Sequence, residues 1–493
     1  MSRGVPAKTC WVPDRGSEVP VYQQIVRMVR EKVADGQWPV GTRLPSQRIL
    51  AQAFHVNRST VTAAIDELTA CGIVSGCRGA GTQVVSNTWA LMLPPAMDWG
   101  MFLSAGPFRE NISAVQAINR LEFSPHMVRL GTGELDPRLF PVEMWREVME
   151  KVSREVAELG YLEPLGLLKL RRAISRRMET MGIQAPPSTI LITSGALQAL
   201  QLISVCLLRK GSTVFTEAPT YLQSLQVFQS AGMGLHGTPM DSEGIKFWEM
   251  EAALKNDRLQ GASILYTIPT NQNPTGITMT GRRREELMGF CAGKRLPIIE
   301  DGAYHELFFG GPLPPALKSL DRTGAVIYLG SASKTLAPGL RIGWMIAPEP
   351  MVQRLGDVKM QMDYGASSVS QWILAEFFES GCYDKYLKEL REIMRERRDR
   401  ALEVLEENYR DIARWNVPGG GFYIWLTFKA PIALDRLFKR AAEEGILLNP
   451  GDMYDFKSSR SLRLSYAYTN PREFESGARK LLQIIRREFL PGR

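Results

Sequence analysis

The chain has little with which to hold a metal or build a disulfide framework. Its 493 residues include six cysteines, at positions 10, 71, 77, 206, 291 and 382, and four histidines. The cysteines show no metal-ligand spacing, so no metal is expected, and free thiols in a reducing cytoplasm are the expected state. Also missing is any run of about 18 apolar residues, the length a membrane-spanning helix needs. The longest candidate, Leu197 to Leu208, is interrupted by Gln198 and Gln201 and reads as a buried helix. No charged segment followed by an apolar core opens the chain. These absences argue against a secreted or membrane-bound protein, and the expected location is the cytoplasm.

What is present allows two or three domains with full cores, since 44% of residues are hydrophobic and 23% charged. The net charge of +8 is unevenly spread. Residues 1–86 hold ten Lys/Arg against six Asp/Glu, so a sixth of the length carries half the excess. A polyanionic partner suits that end.

Within it, Ile25, Val26, Val29 and Val33 recur at helical spacing and predict a helix from Val21 to Ala34, ended by Gly36, Pro39 and Gly41. Ser46 is placed to cap a helix from Arg48 to Phe54, and His55-Val56-Asn57 turns into a second helix from about Ser59 to Cys71. Two short helices joined tightly make a helix-turn-helix. The second would offer Arg58, Ser59, Thr60 and Thr62 to the major groove while Val61, Ile65 and Leu68 face inward, and Arg48 would grip phosphate. Ile73-Val74-Ser75 and Thr82-Gln83-Val84-Val85 read as the strands of a wing, with Arg78 and Gly79 in the turn between them, close to the nucleic-acid backbone. The series Leu44-Pro45-Ser46-x-Arg48, Asn57-Arg58-x-Thr60-Val61 and Gly79-x-Gly81-Thr82 resembles the winged helix of the GntR family. That resemblance implies double-stranded operator DNA as a partner.

From residue 87 to 127 the periodicity is lost. Pro94-Pro95, Gly100, Gly106-Pro107 and Pro125 break any long element, while Trp89, Trp99, Phe102 and Phe108 are too apolar for a free tether. A linker lying partly on a surface is expected there.

From 128 to 493 short apolar runs alternate with helical stretches: Leu191-Ile192-Thr193, Thr213-Val214-Phe215, Ser263 to Tyr266, Pro297 to Glu300 and Val326 to Leu329. This predicts an α/β domain with a mostly parallel sheet, whose ligands collect at the C-terminal strand ends. Lys334 follows one such end in Ser331-Ala332-Ser333-Lys334-Thr335. An amine that must form a Schiff base needs a close, partly desolvated setting, and a phosphate beside it needs donors, which Ser331, Ser333 and Arg341 can supply. Asp301 is placed to bind a protonated pyridine nitrogen, Tyr304 and Asn273 to reach a phenolic oxygen, and Tyr221 to stack on a ring. Ser194-Gly195-Ala196 opens a helix whose free N–H groups suit a phosphate.

Together, Asn273-Pro274-x-Gly276, Asp301-x-x-Tyr304 and Ser331-x-Ser333-Lys334 followed by Arg341 make this region resemble the fold type I aminotransferases that use pyridoxal 5'-phosphate. By that likeness Lys334 forms the Schiff base with the cofactor, and Arg463 takes a substrate or effector carboxylate. Tyr161 resembles the tyrosine that reaches the phosphate from a neighbouring subunit, so a homodimer is implied, as is a smaller C-terminal α+β subdomain from about residue 370. Ala196 stands where relatives often carry a hydroxyl residue, which leaves that contact to the backbone. His305 reads as a surface or core histidine.

A GntR-like winged helix ahead of an aminotransferase-like body resembles the MocR/PdxR family of bacterial transcriptional regulators. The resemblance implies DNA binding controlled by pyridoxal 5'-phosphate, or by its aldimine with an amino compound, as effector. The competing expectation is a working aminotransferase with a DNA-binding appendage, since the residues for transamination are present.

Overall fold

In the computed structural model, which describes residues 11–77, 81–86, 106, 111–255 and 263–489, the first periodic segment is a helix. This α1 (Val21–Ala34) buries Ile25, Val26, Met28, Val29 and Val33. A two-residue strand, β1 (Arg43–Leu44), precedes α2 (Gln47–Ala53). The Ser46 hydroxyl accepts the Ile49 N–H at 3.4 Å and starts α2, as an N-cap serine should. Next, α3 (Arg58–Ala70) buries Val61, Ala64, Ile65 and Leu68 on one face. The wing, β2 (Val74–Cys77) and β3 (Gly81–Val84), is antiparallel, and β1 pairs with the outer side of β3. Strand β1 is too short to show a period, so its place follows from pairing alone.

The chain forms two compact units that meet in sequence between Gly106 and Pro107. The larger unit opens with a helix inside the stretch expected as linker, α4 (Ser113–Leu121), which buries Val115 and Ile118 in this unit's core. Pro107 and Pro125 lie outside it, and Val115 and Ile118 stand one turn apart, which is enough to hold a short amphipathic helix against a surface. Strand β4 (Val128–Arg129) follows and pairs with residues Ile446 and Leu447.

The main sheet contains β5 (Ile190–Thr193), β6 (Thr213–Ala218), β7 (Gly234–Asp241), β8 (Gly244–Ile245), β9 (Ile264–Thr267), β10 (Ile298–Asp301), β11 (Val326–Ser331) and β12 (Gly343–Ile346), in the order β5-β12-β11-β10-β9-β6-β7-β8. Strands β11, β10, β9, β6 and β7 run parallel, as continuous apolar runs imply. Strand β12 departs from that expectation. Only eleven residues separate it from β11, fewer than a helical crossover needs, and so it lies antiparallel between β11 and β5.

A 28-residue helix, Cys382–Tyr409, leads to a smaller antiparallel sheet of β13 (Ala413–Trp415), β14 (Tyr423–Phe428), β17 (Ser461–Ser465) and β16 (Asn449–Pro450). The pair matching β4 is β15 (Ile446–Leu447). Among the described residues no helix is long and apolar enough to cross a membrane. Cys71, Cys206, Cys291 and Cys382 are free thiols.

The small unit's core rests on few side chains, so each counts. Leu68 is 0% exposed, and Leu68→Ala is expected to destabilise the winged helix by about 2–5 kcal/mol. Urea unfolding followed by circular dichroism on residues 1–106 checks this; an unchanged midpoint would contradict the core assignment.

Candidate functional site

Strand register assembles the first part of the site. Ser331 at the end of β11 stands opposite Gly343 of β12, and Gly343 stands opposite Thr193 of β5. The three strand ends therefore form one ledge, followed by Ser194 and by α5 (Ala196–Cys206) with Gly195 as its N-cap. Gly195 has φ of +89°, and a Cβ there would meet Arg341 Nη2 at 2.7 Å; only glycine lets the guanidinium sit over the helix start. Arg341 Nη2 donates to the Ser194 carbonyl at 3.2 Å, and Ser331 Oγ accepts the Ser333 N–H at 3.1 Å. The Ser194 hydroxyl is turned to Asp363 (3.3 Å). An arginine, two serines and the open N–H groups of an eleven-residue helix make a cradle for a doubly charged phosphate.

The next strand end carries the acid. Asp301 closes β10 and accepts the Tyr266 hydroxyl at 2.7 Å and the Ala303 N–H at 3.0 Å. Burial pushes its carboxyl up, against these two donors and the charge of Lys334. Lys334 Nζ donates to the Gly133 carbonyl at 2.8 Å. No carboxylate pairs with Lys334 among the described residues, so its amine is held in place without being locked in an ion pair.

Lys334 also lines a cavity of about 160 Å³, together with Tyr221, Asn273, Tyr304, Tyr423, Asn449, Tyr454, Arg463, Glu122 and Glu134. Arg463, on β17, is only 4% exposed. Its Nη1 donates to Asn273 Oδ1 (3.0 Å) and its Nη2 to the Gly131 carbonyl (2.7 Å), while its carbon centre lies 4.2 Å from the Tyr423 ring and 4.8 Å from that of Tyr454. A Cβ on Gly131 would meet Asn449 Oδ1 at 2.3 Å, so glycine is required for this approach. The guanidinium Nε has no acceptor among the described residues. A buried N–H in that state asks for an anion. The Tyr304 and Tyr423 hydroxyls share a 2.8 Å hydrogen bond, and burial holds the Tyr304 phenol well above its usual range. The Tyr221 and Tyr454 rings are stacked, 6.3 Å apart.

On the winged helix, Arg48, Arg58 and Ser59 are exposed. Arg48, Arg58 and Thr60 share a groove of about 830 Å³ with Arg15 and His55. Thr62 is half-buried and its hydroxyl donates to Gln47 Oε1 and the Arg58 carbonyl, both at 3.0 Å. Arg78 and Gly79 lie outside the described residues.

The structure thus gathers Lys334, Tyr304, Asn273, Tyr221 and Arg463 around one cavity, with Asp301 on the adjoining strand end and Ser194, Gly195, Ala196, Ser331, Ser333 and Arg341 at the ledge. Tyr161 stands apart, 86% exposed, its ring 5.4 Å from that of Tyr364, which is also exposed. Sequence reasoning missed Tyr266, Tyr423, Asn449, Tyr454, Glu122 and Arg15. Tyr423 had a signal in the glycine run that precedes it, Gly419-Gly420-Gly421. Glu122 had none, because it reaches the cavity only through the packing of α4.

Comparison with known proteins agrees with both halves. Residues 125–481 match the family model for aminotransferase class I and II, and residues 21–84 that for bacterial regulatory proteins of the gntR family. The chain is 46% identical to YisV of Bacillus subtilis, named an uncharacterized HTH-type transcriptional regulator, over 97% of this chain and 98% of that protein. It is 33% identical to the HTH-type transcriptional regulator NorG of Staphylococcus aureus, over 90% of this chain and the whole of NorG. Among solved structures it is similar to kynurenine aminotransferase of Pyrococcus horikoshii (TM-score 0.74, 32% identity, 80% of this chain and 98% of that one). It is also similar to the α-aminoadipate aminotransferase LysN of Thermus thermophilus, solved with N-(5'-phosphopyridoxyl)-L-leucine (TM-score 0.72, 30% identity, 78% and 98%).

One buried acid gives the site unit a pH signature. Glu217, at the end of β6, accepts the Ile268 N–H at 2.9 Å and the Thr267 hydroxyl, and burial pushes it up from 4.5 to about 7. A raised folded-state pKa favours the protonated form. Its stabilisation is full below about 4.5 and is lost as pH rises through about 7. Denaturant midpoints of the wild type should fall across that window, and Glu217→Gln should flatten the fall; equal slopes would contradict the burial assignment.

Proposed function

The chain belongs to the MocR-type regulators, in which a GntR-type winged helix precedes an aminotransferase class I and II domain, and from that premise we propose that it is a DNA-binding transcriptional regulator whose second unit holds pyridoxal 5'-phosphate and senses an amino compound through it. The observation that carries this reading is the cavity. It joins Lys334 and Arg463 to Glu122, at the end of the first helix after the stretch that follows the winged helix.

The residues fit the cofactor by chemistry. Bound there, pyridoxal 5'-phosphate supplies an aldehyde that condenses with primary amines and a ring that withdraws electrons. Lys334 would hold it covalently. Asp301, kept ready by Tyr266, would hold the proton of the ring nitrogen. Arg341, Ser331, Ser333 and the backbone of Ser194, Gly195 and Ala196 would take the phosphate, with Tyr221 against the ring and Asn273 and Tyr304 beside its phenolic oxygen. The unsatisfied Nε of Arg463 supports an effector carrying a carboxylate. The exposed Tyr161 supports completion of the phosphate cradle in a homodimer.

Regulation needs only that the effector prefer one DNA-binding arrangement of the chain. A tenfold shift in population corresponds to about 1.4 kcal/mol of differential binding. On the DNA side, Arg58, Ser59 and Thr60 at the start of α3 would meet base edges, with Arg48 on phosphate. The engaged hydroxyl of Thr62 supports an orienting role through Gln47. Arg78 and Gly79 in the wing turn would meet the backbone. The likeness to aminotransferases at 30–32% identity, with Lys334, Asp301 and Arg463 all in place, supports a second reading in which the unit also turns over amino acids.

Two outcomes are expected. Purified protein supplied with pyridoxal 5'-phosphate should gain visible absorption that resists dialysis, and Lys334→Ala should lose it; a colourless wild type would sink the cofactor reading. Arg58→Ala should weaken operator binding by about 1–3 kcal/mol in a gel-shift titration. An unchanged affinity would remove α3 from the interface. Steady-state transamination at about 1–1000 per second would favour the second reading.

A further inference from the structure

A second cleft, of about 720 Å³, is lined by the turn that carries Tyr304 and contains none of the cavity residues around Lys334. We propose that this cleft is a separate binding site for a small organic anion, a phosphate or carboxylate on an apolar body.

The cleft's own carboxylates are already taken. Glu306 accepts from Arg177 and, through its second oxygen, from the Tyr383 hydroxyl at 2.9 Å. Asp384 accepts from the other arm of Arg177 at 2.7 Å, and Arg176 is held by Glu379 at 2.7 Å. Two cations remain. Arg391 spends its Nε on the Glu306 carbonyl (2.6 Å), and its terminal nitrogens have no acceptor among the described residues. Lys388, one turn earlier on the helix Cys382–Tyr409, has no carboxylate partner there either.

His305 adds a third polar group to the cleft wall. It is 4% exposed and lines the cleft, yet only its backbone is hydrogen-bonded, to Gly302. Burial and the nearby Arg284 and Arg391 hold the imidazole at about 3, so it is neutral at ordinary pH. A neutral ring donates one N–H without adding charge. Among the described residues no side-chain hydrogen bond engages the ring, and it borders the cleft, where a ligand can meet it. Lys388 and Arg391 favour a ligand that carries negative charge, and an acceptor atom of it can take the ring N–H. Leu313, Pro314 and Leu387 line part of the rest, which suits an apolar body, and about 720 Å³ is room for a small molecule.

The site is independent of the cofactor reading, so its test is too. Isothermal titration of the full chain with phenyl phosphate and with benzoate should show saturable binding of at least one probe, one per chain, tighter than inorganic phosphate. Arg391→Gln should weaken it by about tenfold or more. Because Arg391 also holds the Glu306 carbonyl, the exposed Lys388→Gln serves as the second variant and should weaken binding in the same sense while leaving thermal stability unchanged. Arg341→Gln, at the strand-end ledge, should leave it intact. No saturable binding, binding insensitive to Lys388 and Arg391, or binding lost only in Arg341→Gln would each overturn the proposal. Inorganic phosphate binding as tightly as phenyl phosphate would overturn the apolar part of the assignment.

Discussion

A guanidinium almost wholly removed from water is the constraint around which the larger unit's ligand cavity is arranged. Burying a cation costs several kcal/mol unless its surroundings replace the lost hydration. Arg463 gets that replacement from the Asn273 side chain, from the Gly131 carbonyl and from the faces of Tyr423 and Tyr454. Each partner comes from a different part of the chain, so the small sheet, the strand-end loops of the main sheet and the segment after α4 must all meet at one point. The compensation is incomplete at Nε. That open donor belongs to a residue of the cavity that Lys334 also lines.

The main sheet does the rest by register. Neighbouring strand ends bring Ser331, Gly343 and Thr193 into line, and β10, one strand over, brings Asp301. Acid, amine and anion cradle are then separated by strand spacing rather than by loop conformation. Tyr266 comes from β9, the next strand again, and fixes the Asp301 carboxyl with its hydroxyl. A site built on rigid strand ends changes little by itself when loaded. Helix α4 packs Val115 and Ile118 into this core, with Ala114, Ala117 and Leu121 against it, and so brings Glu122 at its end to the cavity.

Much of this was legible in the sequence because it is local. Val61, Ile65 and Leu68 share a helical face, Ser46 caps α2, and Lys334 and Asp301 stand just beyond apolar runs that are strands. Wherever the deciding interaction is long-range, sequence reading stopped short. Strand β12 is antiparallel because the return from β11 is brief. The helix α4 was hidden in a segment whose prolines flank rather than interrupt it. Asn449 and Tyr454 have no period or motif, and they belong to the cavity only because β16 pairs with β17 opposite Arg463.

On the proposed function, ligand occupancy around Lys334 and DNA binding at α3 are one equilibrium. Linkage makes this reciprocal: whatever factor an effector adds to operator affinity, operator DNA must add to effector affinity. The direct measurement is a spectral titration of the pyridoxal phosphate-loaded chain with an amino acid effector, with and without saturating operator duplex. The half-saturation concentration is expected to shift with DNA, by the same factor that the effector shifts operator affinity. Identical titrations in the two conditions, for an effector that does bind, would contradict it.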